Sequence, residues 1–340
     1  MVKDKRILIV RLGSMGDILH SLPVLASLRA SFPEWEVDWL VESRWRPLLE
    51  GIPELSRIVD CDTLAWRRQP LSGGSWRALR ETASQVWERR YDCAMDLQAS
   101  LKSAAACYLS GAAEIIGFET PWLKEPACGV FYTRRVAATG AVHMVEVNLA
   151  LAAALGAKPG PARFPLPSGD PALLPTDFPT NALAVVNPGA GWRSKLWPNE
   201  RYARVCDSLE RELSLAVVLI CGPGEEALAQ HVMRACSQAR PRIYSGGVPG
   251  LIALLRRSRL MVGPDTGPTH LAAALGVPTV GLFGPTDPQR NGPYGSRRIS
   301  LRPNGAVTSH RRSASAELME LIQPEQVMGA IHELLECTTH

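Results

Sequence analysis

Residues 263–288 read GPDTGPTHLAAALGVPTVGLFGPTDP, and no side chain between Asp265 and Asp287 carries a formal charge. A neutral run of that length suggests a membrane span, which needs about 20 unbroken apolar residues. Pro268, Pro278 and Pro285 exclude one, because each removes a backbone donor and interrupts a helix. The pattern that fits is strand, loop, short helix, strand. RLMVGPD forms a strand ending at Asp265. Thr266 or Gly267 then caps a helix with Pro268 in its first turn, where a missing N–H costs nothing. LAAAL continues the helix, Gly276 ends it, and VPTVGLFG is the next strand. The stretch is neutral because a buried strand and a buried helix flank a single loop.

The same alternation extends outward from it. Upstream, ALAVVNPG, LAVVLICGPG and RIYSG read as strands, and RYARVCDSLEREL, EEALAQHVMRAC and VPGLIALLRRS as helices. In the first half, Ile7–Arg11, EVDWLVE, RIVDCD and YDCAMDLQ read as strands. Helices span 17–30, 75–89, LKSAAACYLSG and HMVEVNLALAAALG. A last helix starts at Pro324 and runs to about residue 336. Residues 157–180, KPGPARFPLPSGDPALLPTDFPTN, are packed with proline and form a stiff linker. Strands alternating with helices imply parallel sheets with right-handed crossovers. The expected fold is therefore α/β, with two doubly wound domains facing across a cleft. Their boundaries fall at 1–170 and 171–322, with a C-terminal helix in 323–340 packing near the domain junction. Ligands of such sheets bind beyond the carboxyl ends of the strands.

Composition narrows the function. With 46% hydrophobic and 21% charged residues the 340-residue chain is a globular protein rather than a disordered one. A net charge of +4 is too mild for a nucleic-acid partner, and no basic stretch interleaved with aromatics forms a backbone groove. MVKDKRILIVRLGSMGD is not a secretory leader, because its apolar core is short and Arg11 and Asp17 follow at once. The eight cysteines show neither C-x-x-C pairs nor zinc spacing. Cys93, Cys206 and Cys221 lie in apolar stretches and read as reduced core residues of a cytosolic protein.

Four loops at strand ends carry the candidate chemistry. In D-T-G-P-T-H, residues 265–270, the helix start offers N–H groups and the positive end of a dipole. Gly267 lets a ligand approach, Thr266 and Thr269 offer hydroxyls, and His270 sits one turn in. This is either a diphosphate site or an ordinary capped turn. R-L-G-S-M-G-D, residues 11–17, lacks the glycine at Met15 that a dinucleotide fingerprint needs, and no G-K-[ST] follows. Gly13 and Gly16 instead open a helix with Asp17 in its first turn, as a dipole partner or as a carboxylate at the mouth of the cleft. NPGAGWRSKLWP, residues 187–198, presents Arg193 and Lys195, which form a phosphate clamp or a basic surface loop. In CGPGEE, Glu225 and Glu226 are ribose acceptors or helix-start charges.

Taken in this order, the loops resemble glycosyltransferase family 9, the ADP-heptose:lipopolysaccharide heptosyltransferases. RLGSMGDILHSLP is similar to the family's N-terminal motif and DLQASLKSA, residues 96–104, to its acceptor-side motif. KLWP, DTGPTHLAAALG and the GPTDP of 284–288 are similar to its donor motifs. The resemblance spans nearly the whole chain, and the SMGD and DTG forms look more like heptosyltransferase I than II. It implies a GT-B fold of two Rossmann-like domains, the first binding acceptor and the second binding donor. It also implies an inverting transfer from ADP-heptose to the Kdo inner core of lipid A, with no obligatory metal and no further cofactor.

By resemblance, Asp17 matches the general base and Lys195 the lysine that contacts phosphate. Gly16, Arg193, Glu225 or Glu226, Asp265, Thr266, Gly267 and His270 match the donor side. Gln98, Lys102, Lys124 and Arg67 or Arg68 are placed to meet the acceptor's carboxylate and phosphates, though W-R-R-Q-P also reads as a solvated loop. At Lys124 many relatives carry arginine, whose bidentate fork lysine lacks. The implied setting is cytoplasmic, peripheral to the inner membrane. Trp66, Trp122 and Phe131 are either buried aromatics or part of the surface resting on it. Two rivals remain open at this stage, a GT-B enzyme for another nucleotide sugar and a non-catalytic nucleotide-sugar binding protein. A nicotinamide dehydrogenase ranks a poor third, because neither half carries the glycine fingerprint.

Overall fold

The computed structural model describes residues 4–63, 72–179, 182–309 and 317–336. The chain divides between Pro167 and Ser168, inside the proline-rich stretch, into two units with one six-stranded sheet each. The first sheet comprises β1 (Arg6–Val10), β2 (Glu36–Glu42), β3 (Arg57–Cys61), β4 (Cys93–Asp96), β5 (Glu114–Phe118) and β6 (Arg134–Val136). All pairings are parallel and the spatial order is β3-β2-β1-β4-β5-β6. Helices α1 (Met15–Ser31), α2 (Gly73–Trp87), α3 (Leu101–Leu109) and α4 (Met144–Ala154) connect these strands or follow them.

The second sheet repeats the plan with β7 (Leu183–Val186), β8 (Ala216–Ile220), β9 (Arg242–Tyr244), β10 (Ser258–Pro264), β11 (Thr279–Leu282) and β12 (Arg298–Leu301). Its order is β12-β11-β10-β7-β8-β9, again wholly parallel. Its helices are α5 (Asn199–Leu213), α6 (Glu226–Ala235), α7 (Val248–Arg256), α8 (Gly267–Ala274) and α9 (Pro324–Glu336). Counted from its own first strand, each sheet has the doubly wound order 3-2-1-4-5-6. In each, the chain's direction of travel reverses beside the first strand, between β1 and β4 and between β7 and β10. The crevice beyond the carboxyl ends at that reversal is where such sheets take ligands.

Central strands are covered on both faces, so they read as continuous apolar runs rather than alternating ones. Ile7, Leu8, Ile9 and Val10 of β1 are wholly buried, as are Leu260, Met261 and Val262 of β10. The helix α9 lays Val327, Ile331 and Leu334 on α5 and the edge of the second sheet. Burial of each such side chain contributes about 1.5–3 kcal/mol. Cys93, Cys206 and Cys221 are buried free thiols.

Three strands lie outside the sequence reading. β6 and β12 are short edge strands of three and four residues that carry exposed arginines, so no apolar run marks them. β5 holds Gly117, where an added Cβ would fall 2.3–2.5 Å from atoms of the Tyr132 ring. The glycine that weakens the strand signal is what lets Tyr132 cross the sheet. No helix among the described residues is long and apolar enough to cross a membrane.

Candidate active site

In the first unit the site grows from the ends of β1 and β4, the two strands at the reversal. After Val10, the loop 11–14 turns into α1, whose first turn contains buried Gly16 and the 44% exposed side chain of Asp17. Ser14 donates its N–H and hydroxyl to Asp17 Oδ2, at 3.0 and 3.1 Å. Arg11 Nη2 lies 2.8 Å from Asp17 Oδ1. Withdrawal from water pushes the Asp17 carboxyl up, but the Arg11 charge and the Ser14 N–H outweigh it, and the group sits below the usual carboxylate value. An accessible, ionised carboxylate with both oxygens oriented is the result.

Across the reversal, Asp96 ends β4 with no exposure. Its Oδ1 accepts from the Gln98 and Ala99 amides, and its Oδ2 from Ser103 Oγ and Tyr132 Oη. Burial raises its pKa, and these four donors oppose the rise without cancelling it. The turn they hold faces the β1 loop. Gln98 Oε1 accepts from the Leu12 amide at 3.0 Å, Gln98 Nε2 donates to Ser100 Oγ, and the Leu97 carbonyl accepts from Arg11 Nη1. The Lys124 amide bonds Ala99 in the same turn, and the residue itself is exposed. Lys102 instead reaches toward β2, donating to Glu42 Oε1 at 3.1 Å and to Thr63 Oγ1 at 2.7 Å. Arg67, Arg68 and Trp66 lie outside the described residues. Trp122 and Phe131 are half-buried, with the Phe131 ring 5.7 Å from that of Tyr108.

In the second unit the corresponding loops follow β7 and β10. Asp265, 8% exposed, accepts from Lys195 Nζ at 2.6 Å on Oδ2 and faces His270 Nε2 at 2.9 Å on Oδ1. Lys195 also donates to the Asp265 carbonyl and rests over the Trp192 ring, 4.8 Å from its centroid. Burial pushes the Asp265 carboxyl up, but His270 and Lys195 hold it well below the usual carboxylate range. Thr266 is the N-cap of α8 but makes no side-chain cap bond. Its hydroxyl oxygen instead accepts a hydrogen bond from Asn187 Nδ2, at 2.9 Å. The amino end of α8, at Gly267, is thereby left open to another acceptor, with a lysine beside it. That combination suits a diphosphate.

Beyond β8, the Glu225 carboxylate turns back to the Gly222 amide at 3.0 Å and lies against Gly189, where a Cβ would come within 2.3 Å of Oε2. Glu225 therefore joins the β7 loop, while Glu226 is exposed on α6. Arg193 is exposed in the short 3-10 turn that carries Lys195.

The profile of glycosyltransferase family 9 (heptosyltransferase) matches residues 79–319. The chain belongs to that family. This family 9 member is 31% identical to lipopolysaccharide heptosyltransferase 1 of Pseudomonas aeruginosa over 306 residues, which are 87% of this chain and 83% of the relative. The structure of the E. coli heptosyltransferase WaaC with ADP aligns with a TM-score of 0.81 at 25% identity, covering 97% of this chain and 99% of that one. WaaC with ADP-2-deoxy-2-fluoro heptose gives 0.79 at 26% identity, over 96% and 99%. The GT-B fold class and the glycosyltransferase activity expected from the sequence both hold.

Sequence reasoning passed over three residues of the family 9 enzyme that build these loops. Arg11 is the only charge between Arg6 and Asp17 in an otherwise apolar and glycine-rich run. Asp96 opens the DLQ of the acceptor-side motif. Asn187 is the first polar residue after AVV. Each stands at a strand's carboxyl end, and that position was the available signal.

Proposed function

We propose that this family 9 enzyme transfers heptose from ADP-heptose to the Kdo inner core of lipid A, with inversion at the anomeric carbon. In that reaction an acceptor oxygen bonds to C1 of the heptose, the C1–O bond to diphosphate breaks, and ADP leaves with the electron pair. Asp17 takes the acceptor hydroxyl's proton. Its low pKa makes it a weak base, matched to a transition state in which the sugar already carries positive charge and the hydroxyl proton is acidic. Lys195, Arg193 and the amino end of α8 at Thr266 and Gly267 stabilise the departing diphosphate, each donor typically worth about 3 kcal/mol in such a role. Asp265 and His270 orient Lys195, and Glu225 accepts from the ribose hydroxyls. Gln98, Lys102, Lys124 and the arginines 67 and 68 belong to the acceptor side. With a lipid-anchored acceptor and a nucleotide donor, the enzyme works peripherally on the cytoplasmic face of the inner membrane.

The observation that carries this reading is the Lys195–Asp265–Thr266 cluster at the strand reversal of the second sheet, in a chain of the heptosyltransferase family. That relatives were solved with ADP and with an ADP-heptose analogue supports an ADP-linked donor. The test is to supply ADP-heptose and heptose-free Kdo-lipid A and to weigh the product by mass spectrometry. Gain of one heptose is the expected result. Nucleotide release from ADP-glucose or a UDP-sugar, with none from ADP-heptose, would replace the donor.

A further inference from the structure

The β1 loop and the acceptor-side turn are joined by a buried arginine. Arg11 is 6% exposed, and one of its terminal nitrogens serves each side. Nη1 donates to the Leu97 carbonyl, in the turn that Asp96 holds, and Nη2 pairs with Asp17 Oδ1 at 2.8 Å. The Leu12 amide bond to Gln98 Oε1 and the Leu97 amide bond to the Val10 carbonyl run parallel to it. The counter-ion of Asp17 is thus mounted on the acceptor motif rather than on its own helix. The two carboxylate oxygens are also unequally engaged. Oδ2 receives two donors from Ser14, whereas among the described residues Oδ1 receives only Arg11, which leaves it a lone pair for a further donor.

We propose that Arg11 is a positioning residue of the transfer, holding Asp17 Oδ1 from the acceptor-motif turn so that this oxygen meets the acceptor hydroxyl. The proposal rests on the reading of Asp17 as the base. Arg11 touches neither the sugar nor the diphosphate; it acts through Asp17. A planar guanidinium spans both partners at fixed geometry, and a lysine reaches one or the other. The other titratable groups around Asp17 are His20, one turn along α1, and His143 at the N-cap of α4, whose ring meets that of His20 edge-on at 5.1 Å. Of these groups, Arg11 is the one that bonds both the Leu97 carbonyl and Asp17.

The experiment compares Arg11→Gln, Arg11→Lys and Asp17→Asn in the full chain, with ADP-heptose and Kdo-lipid A at saturation across pH. Loss of the cation raises the pKa of Asp17, so the acid limb of the Arg11→Gln profile moves up by about one pH unit. Its plateau turnover falls at least tenfold, roughly the scale for losing a charged hydrogen bond. ADP binding, measured by calorimetry, stays at the wild-type value. Arg11→Lys returns the limb to its place and recovers turnover only in part. An unmoved limb in Arg11→Gln, with Asp17→Asn inactive, makes Arg11 a packing residue and overturns the proposal. Wild-type turnover in Asp17→Asn overturns the base reading and the proposal with it. If Arg11→Gln does not fold, Arg11→Lys decides: wild-type turnover overturns positioning, and reduced turnover with an unmoved limb supports it.

Discussion

Lys195 Nζ and Asp265 Oδ2 are 2.6 Å apart in a setting where both side chains are largely withdrawn from water, 15% and 8% exposed. Asp265 also holds His270, so its carboxylate is engaged on both oxygens and keeps the lysine head at the start of α8. A cation pre-positioned in this way needs no reorganisation when the diphosphate departs. Lys195→Ala is therefore expected to lower turnover by about 10²–10³-fold, the scale for losing one preorganised donor. Single-turnover kinetics with ADP-heptose measure it, and a change below threefold would remove Lys195 from the leaving-group role.

Asp265 also makes a prediction about stability. Its folded pKa lies well below the ordinary 3.8, so the folded state favours the ionised form. That contribution is complete above the unfolded value and is lost as pH falls through the folded one. Asp265→Asn leaves Lys195 partly buried without its counter-charge, at a cost of about 3 kcal/mol. Guanidinium unfolding should show the deficit at pH 7 and a smaller one below about pH 4, where the wild type loses the pair's contribution too. An equal deficit at the two would assign the effect to another group.

How far the sequence reveals such features depends on where their partners sit in the chain. β1 is legible because burial on both faces makes ILIV, residues 7–10, a continuous apolar run. The D-T-G-P-T-H turn is legible because cap, proline and glycine stand in consecutive positions. Arg11 is not, because the carbonyl that holds it is 86 residues away, and nothing in RLGSMGD names Leu97. The edge strands β6 and β12 hide for a different reason. Exposed on one side, they carry RRV and RISL, patterns that do not separate a strand from a loop. Gln98 and Lys102 were legible as polar residues of a motif. Their partners, Leu12 and Ser100 in one case and Glu42 and Thr63 in the other, appear only when the strands are assembled.

Tyr132 lies over Gly117 and donates to Asp96 Oδ2 at 2.8 Å. Burial holds the Asp96 pKa above its ordinary value, so its ionised form weighs against folding as pH rises through the folded pKa. The Tyr132 hydroxyl offsets that penalty and matters most when Asp96 is charged. Tyr132→Phe should cost about 1–2 kcal/mol. Denaturant titrations over a pH series should show the deficit growing as pH rises through the Asp96 pKa. A deficit that stays the same across the series would mean that Tyr132 acts through packing alone.

Glu225 and Glu226 are neighbours in sequence with opposite surroundings, and the difference predicts which one meets the nucleotide. Glu225 folds back onto the Gly222 amide, and its carboxylate passes so close to Gly189 that a Cβ there would have to displace it. It therefore lies between the loops that follow β7 and β8, beside the loop that carries Lys195. Glu226 begins α6 and points to solvent, where a charge at a helix start adds a few tenths of a kcal/mol to stability. If the ribose hydroxyls of ADP donate to Glu225, Glu225→Gln weakens ADP binding about tenfold or more, the range for a hydrogen bond to a charged group. Glu226→Gln leaves it within twofold. Gly189→Ala reaches the same endpoint from the other side, because the new methyl displaces the carboxylate while leaving its charge in the protein. Calorimetric titration of the three variants with ADP separates the possibilities. Weakening in Glu225→Gln and Gly189→Ala together ties the effect to the carboxylate's position. Weakening in Gly189→Ala alone would mean that the β7 loop itself, and not the glutamate, contacts the nucleotide.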